Sequence, residues 1–185
     1  MVTIPTLETP RLRLRAYRLE DFDAYAALWA DPGVVRHIGG VPLSREAAWT
    51  RFLRQIGLWH HLGFGFFAVE HRATASLIGE AGFHDLRRAI APSLEGTMES
   101  GWGLLPAMHG QGLAEEAMRA AIGWAAEYGV GARLTAIIDP GNTASLRLAD
   151  KLGFAEFART TYSGHPVILL QRLSRHLESR LDQTP

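Results

Sequence analysis

From Arg11 to Tyr17 the chain alternates, with Arg11, Arg13 and Arg15 on one side and Leu12, Leu14 and Ala16 on the other. A period of two predicts a strand with one solvated face. Asp21 then stands ahead of Phe22, Tyr25, Leu28 and Trp29 at helical spacing, and Asp31-Pro32-Gly33 is expected to stop that helix. Ser44 is placed to cap a second helix, with Ala48, Phe52, Ile56 and Trp59 as its apolar stripe. Phe64 to Glu70 and Leu77 to Phe83 read as a hairpin. Thr97 to Leu105 is another strand, in which Gly101 and Gly103 point to a bulge or a close backbone approach. Beyond Pro106, the turn His109-Gly110-Gln111-Gly112 opens a long helix. Its stripe is Leu113, Ala117, Ala121 (or Ala120), Trp124 and Tyr128, and Glu115 with Arg119 is an outward pair. A short strand covers Arg133 to Ile138, and Asn142 is placed to cap a helix that Gly153 ends. Phe154 to Thr161 and Val167 to Leu173 make a final hairpin. Leu173, Leu177 and Leu181, with Arg175 and Arg180, have the spacing of a short amphipathic helix.

This order predicts a mixed α/β (α+β) domain. Its sheet has about seven mostly antiparallel strands, with at least one parallel crossover over the long helix. No linker or repeat interrupts the chain, so one domain over residues 7–175 with a tail over 176–185 is expected.

Composition narrows the function. Across 185 residues, 19 basic and 19 acidic side chains balance, so no overall field draws nucleic acid or a membrane surface. No cysteine is present, which excludes a disulfide framework, a cysteine nucleophile and thiolate metal sites. The first residues carry neither a basic cluster nor an apolar run, and no window approaches ~20 apolar residues. A cytoplasmic protein is the expectation.

The chemistry concentrates in Glu99 to Ala117, which runs strand, glycine-rich turn, helix start. Free N–H groups and the positive dipole end of a helix make such a turn an anion site suited to a pyrophosphate. A phosphate loop of the Walker type is excluded because no Gly-Lys followed by Ser or Thr is present. The dinucleotide fingerprint also fails, since its third glycine would fall where Glu115 stands.

These residues resemble the GNAT superfamily of acyl-CoA N-acyltransferases, and within it the RimJ/RimL-like branch. That family's loop reads Gln or Arg, two variable residues, Gly, one variable residue, then Gly or Ala. The chain has His109-Gly110-Gln111-Gly112-Leu113-Ala114, with His in the first position, where this branch commonly carries an aromatic. Glu116-Ala117, Asn142-Thr143-Ala144-Ser145, Lys151-Leu152-Gly153-Phe154 and the opening Leu7 to Arg15 also fit the branch.

The resemblance implies a fold with helices on both faces of the sheet and a cofactor cleft where the strand at Glu99–Leu105 splays from the strand at Arg133–Ile138. It implies acetyl-CoA as acyl donor and no metal. Backbone amides of Gly110, Gln111, Gly112, Leu113 and Ala114 would hold the pyrophosphate, with His109 beside it as a cation. Trp102, Gly103, Leu104 and Leu105 would pair with the pantetheine arm like an added strand. Asn142 and Ser145 would contact the same arm. Glu99 is the candidate general base, and such a role would make Glu99→Gln lower kcat by ~10²-fold. Many members carry a Tyr acid where this chain has Ala149, which leaves Ser145 or water to protonate the thiolate.

Other features have plainer readings. His84 is a structural or solvent-exposed histidine or faces the acceptor. His60 and His61 are adjacent on a helix and make a poor metal pair. Arg11, Arg13 and Arg15 are a solvated edge face, with an anionic partner as the sharper alternative. Trp29, Trp49 and Trp59 are core aromatics on helices that wall the acceptor site in the family. The expected activity is direct acetyl transfer to a primary amine of a peptide or protein N-terminus, or of a small molecule. A longer acyl group is a competing enzyme reading, and a non-catalytic acyl-CoA sensor is the alternative from another class. The chain is expected to be a monomer or homodimer, without nucleic-acid or membrane partners.

Overall fold

The computed structural model describes residues 3–127 and 133–173. Eight strands, β1 (Leu7–Glu8), β2 (Leu12–Arg15), β3 (Phe66–His71), β4 (Ser76–His84), β5 (Met98–Leu104), β6 (Arg133–Ile138), β7 (Ala155–Tyr162) and β8 (His165–Leu173), form one sheet. Their order is β1-β2-β3-β4-β5-β6-β8-β7. The helices are α1 (Phe22–Ala30), α2 (Pro32–Val35), α3 (Arg45–Leu62), α4 (Leu113–Glu127) and α5 (Thr143–Lys151). The extra strand over the expected seven is the two-residue β1, which folds back on β2 through a turn closed by the Thr9 N–H on the Leu12 carbonyl. By contact density the chain divides into two compact units, Met1–His84 with Gly101–Ala121, and Asp85–Ser100 with Ile122–Pro185. The expected stripe residue Tyr128 and the tail residues Arg175, Leu177, Arg180 and Leu181 lie outside the described residues.

In the first unit, β1 to β4 are joined by antiparallel ladders. Helices α1 to α3 cover a core of Tyr25, Leu28, Trp29, Val34, Val35 and Phe52. Tyr17, Tyr25 and Phe52 meet edge to face within it. Helix α3 starts as expected, with Ser44 Oγ accepting from the Ala47 N–H at 3.2 Å. Its buried face differs from the expected stripe. Ala48, Phe52 and Trp59 are buried, but Gln55 takes the fourth place and Ile56 is 58% exposed. At about 100° per residue, Gln55 lies about 20° from Ala48 around the helix and Ile56 about 80° away. Helix α1 ends where expected, at Ala30 with extended backbone at Asp31, but a second short helix, α2, starts at once. Asp31 Oδ1 accepts from the Gly33 N–H, and Pro32 stands in the first turn of α2, where its missing N–H costs nothing.

The arginine face of β2 is the larger correction. Arg15 is buried and forks onto Asp21 at 2.7 and 2.9 Å, with Nε on Glu70 at 2.8 Å. Arg13 bridges Glu8 and Glu70. Asp21, expected as a helix cap by its side chain, accepts instead from Arg15 and from the Arg18 N–H. The solvated-face reading fails at Arg15, while Arg11 stays exposed and Arg13 partly so; the partner carboxylates lie on neighbouring strands and turns, beyond the reach of a local pattern.

In the second unit, β6 pairs antiparallel with β8, and β8 with β7. The parallel ladder of β5 with β6 joins Met98 to Leu134 and Glu99 to Thr135. Leu94, Val167 and Leu169 form the core, with Ile90, Ile137, Phe157 and Tyr162 packed on it.

Candidate active site

The glycine-rich turn belongs to the first unit. A short 3₁₀ turn, Pro106–Met108, leads from β5 into it. Gly110 and Gly112 both adopt left-handed backbone, at φ +73° and +74°. That conformation disfavours any side chain at either position. Nothing lies within 4 Å of where a Cβ on Gly110 would sit, so the loop faces open space. Helix α4 starts immediately afterwards, and the Gly112 carbonyl accepts from the Glu116 N–H at 3.0 Å. The N–H groups of its first turn have no carbonyl one turn back to bind. Together these features offer an anion N–H donors, a positive helix end and room. The residues present therefore fit a pyrophosphate.

The loop is tied down by side chains. His109 Nε2 lies 2.9 Å from the Leu104 carbonyl, and Gln111 Nε2 donates to the Ala107 carbonyl at 2.9 Å. Arg11 Nη1 donates to the Gln111 carbonyl at 2.8 Å. Glu116 accepts from Thr9 Oγ1 and from Arg11. Burial works to raise the Glu116 carboxyl, but these donors outweigh it and hold it below the usual carboxylate range. Arg11 and Thr9 were not read as part of the site. Both stretches carry the family resemblance, but nothing in the sequence pairs Thr9 and Arg11 with Glu116.

The strand ahead of the loop is shaped by close packing. A Cβ on Gly79 would strike the Gly103 carbonyl oxygen and come within 2.8 Å of Leu104 Cα. One on Gly101 would come within 2.7 Å of the Phe66 ring. Gly79 and Gly101 are thus explained by close approach, whereas a Cβ on Gly103 would meet only Val34, at 4.0 Å, and β5 runs unbroken from Met98 to Leu104. The Leu105 N–H is bonded to the Ile78 carbonyl, while Trp102 is half-buried and Gly103 and Leu104 are buried. His84 is buried with its ring edge-on to Phe66. The three tryptophans separate. Trp29 and Trp59 are core, whereas Trp49 is 37% exposed beside a hollow of about 420 Å³ lined also by Leu19, Glu20, Phe22 and Asp23.

Glu99, Asn142 and Ser145 belong to the second unit. Asn142 caps α5, its Oδ1 accepting from the Ser145 N–H at 3.1 Å. Ala149 is fully buried on the same helix. Glu99, expected as a base, is buried, and Arg88 forks onto it, Nε to Oε2 at 2.7 Å and Nη2 to Oε1 at 2.9 Å. Burial disfavours the Arg88 charge, but Glu99 outweighs that and holds the guanidinium protonated more firmly than usual. Its far face lies over the Tyr162 ring at 4.9 Å. Among the described residues, no group of three or more His, Asp or Glu side chains is placed to hold a metal. Nor is any described helix long and apolar enough to cross a membrane.

Comparison with known proteins agrees with this geometry. Residues 11–155 match the model of the Acetyltransferase (GNAT) domain, and the chain belongs to that family of acyl-CoA-dependent acetyltransferases. It is 30% identical over 155 residues to the uncharacterized N-acetyltransferase YoaA of Bacillus subtilis, covering 81% of this chain and 82% of the other. Its structure is similar to that of a Bordetella pertussis protein assigned to the GNAT-family acetyltransferases. The TM-score is 0.80 and the identity 31%, over 91% of this chain and 99% of the other. The fold is shared with RimL, a ribosomal L7/L12 alpha-N-protein acetyltransferase solved with coenzyme A, at TM-score 0.74 and 18% identity, over 91% and 98% of the two chains.

Proposed function

We propose that this protein moves the acetyl group of acetyl-CoA directly onto a primary amine in a ternary complex, and that the preferred acceptor is an α-amine of a peptide, a protein N-terminus or a small molecule. The observation that carries the donor half is the loop. Gly110 and Gly112 are both left-handed, just ahead of α4, with open space beside Gly110 and the Arg11 guanidinium beside Gly112. The amides of Gly110 to Ala114 would hold the pyrophosphate and Trp102 to Leu105 the pantetheine arm. Bound acetyl-CoA supplies an activated thioester. The absence of cysteine leaves no thiol to carry an acyl intermediate, which favours direct transfer.

The acceptor class follows from the proton. An amine must be neutral to attack. At pH 7 that costs about 4.6 kcal/mol for a lysine-like amine of pKa about 10.4, but only about 1 to 1.4 kcal/mol for an α-amine near 7.7 to 8. A strong base is needed for the first and hardly for the second. Both oxygens of Glu99 are held by the Arg88 guanidinium. We therefore read Glu99 as a fixed anion that orders Arg88, and route the amine proton to solvent. RimL, which shares the fold, is described as acting on a protein α-amine. Ser145 is the proposed proton donor to the departing thiolate, a weak demand since a thiol ionises near ~8.5.

Calorimetric titration with acetyl-CoA tests the donor half. Saturable one-to-one binding is expected, and its absence overturns the reading. Binding without thiol release on any amine favours the sensor alternative.

A further inference from the structure

Glu116 places a negative charge in the first turn of α4, at the helix end that the proposed function assigns to a polyanion. Alone, that charge opposes the ligand. Four donors from one short segment surround it. Oε1 accepts from Thr9 Oγ1 at 2.7 Å and from the Arg11 N–H at 2.9 Å. Oε2 accepts from Arg11 Nε at 2.7 Å and Nη2 at 2.6 Å. The remaining arm of the guanidinium, Nη1, holds the Gln111 carbonyl at 2.8 Å.

That last bond has a directional consequence. The peptide between Gln111 and Gly112 is planar and trans, so its C=O and N–H point opposite ways. Turning the Gln111 carbonyl toward Arg11 turns the Gly112 N–H away from Arg11. The left-handed backbone at Gly110 and Gly112 lets the loop accept this orientation.

We propose that Arg11 and Glu116 are one positioning unit for the acyl-CoA loop. The guanidinium aims the Gln111–Gly112 peptide and neutralises Glu116 at the helix start, so donor affinity depends on side chains that need not touch the donor. The proposal rests on reading the loop as the pyrophosphate site.

The test is a mutant cycle of wild type, Arg11→Met, Glu116→Gln and the double variant, titrated with acetyl-CoA, with thermal melting of each. Arg11→Met should weaken binding about tenfold or more, since it frees the loop carbonyl and leaves the Glu116 charge without its cation. The double variant should bind better than Arg11→Met alone, because the uncompensated charge is gone. A mere staple between β2 and α4 predicts lowered melting temperatures with unchanged affinity in the folded protein, and that result overturns the proposal. So does a double variant whose losses simply add. Should Arg11→Met fail to fold, Arg11→Lys keeps the charge but lacks the fork. It should lose affinity by severalfold, and wild-type affinity there overturns the proposal. Failure of the wild type itself to bind acetyl-CoA instead sinks the reading of the loop.

Discussion

Both carboxylate oxygens of Glu99 accept from the guanidinium of Arg88, at 2.7 and 2.9 Å, in a site where the Glu99 side chain is 8% and the Arg88 side chain 19% exposed. A fork of this kind occupies both oxygens of the carboxylate. Removing Arg88 leaves a buried negative charge, whereas Glu99→Gln leaves a partly wetted cation. Arg88→Met should cost about 3 kcal/mol in chemical denaturation, and Glu99→Gln less.

Catalysis separates the two roles of Glu99 more sharply. As a fixed anion it permits Glu99→Gln to retain kcat within about tenfold of wild type, with an unchanged pH profile. As a general base it requires a loss of ~10²-fold and disappearance of the acid limb. Steady-state kinetics from pH 6 to 9 decide between them.

The loop glycines give a third prediction. Gly112→Ala puts a Cβ on backbone at φ +74°, a strain of about 1 to 2 kcal/mol. The cheapest relief is to rotate the loop, so acetyl-CoA affinity should fall by more than tenfold while the protein remains folded. Calorimetry and melting on the same sample check both halves.

Acid stability should report the buried arginine network. Burial works to raise the Asp21 and Glu70 carboxyls, but Arg15, with Arg18 and Arg13, outweighs it and holds both below their ordinary values near 4. Folded-state values that are lowered mean the unfolded chain binds protons first. The stabilisation is therefore present above about pH 4 and is lost as pH falls through the folded values. Arg15→Met should lower stability at pH 7 and flatten the slope of unfolding free energy below pH 5, as measured by urea denaturation across pH.

Helix α3 tests how far a periodic pattern can be trusted. Ile56→Ser should change stability by less than about 0.5 kcal/mol, because Ile56 is outward, whereas Phe52→Ala should cost about 3 to 5 kcal/mol. The pattern located the helix and its Ser44 cap because both are local. It misplaced Ile56 because an apolar side chain at the margin of a stripe is assigned by hydrophobicity alone, while buried Gln55 lies close to the Tyr25 hydroxyl, at 3.4 Å.

The loop was legible for the same reason. Glycines at 110 and 112 ahead of a helix are a contiguous signal, and Asn142 before α5 is another. Arg11, Arg13 and Arg15 were not legible, since their meaning lies in Glu116, Glu70 and Asp21, which the fold brings to them. Glu99 stood in the expected strand, but Arg88, which changes its chemistry, lies on a segment without periodicity.

The most direct test of the central claim is thiol release from acetyl-CoA at pH 7 with matched acceptors, a free α-amine peptide lacking lysine and an N-blocked peptide with one lysine. Release with the α-amine peptide is expected at a rate ~10²-fold above that with lysine. Binding of acetyl-CoA without release on any amine, or a preference for lysine, would contradict that claim.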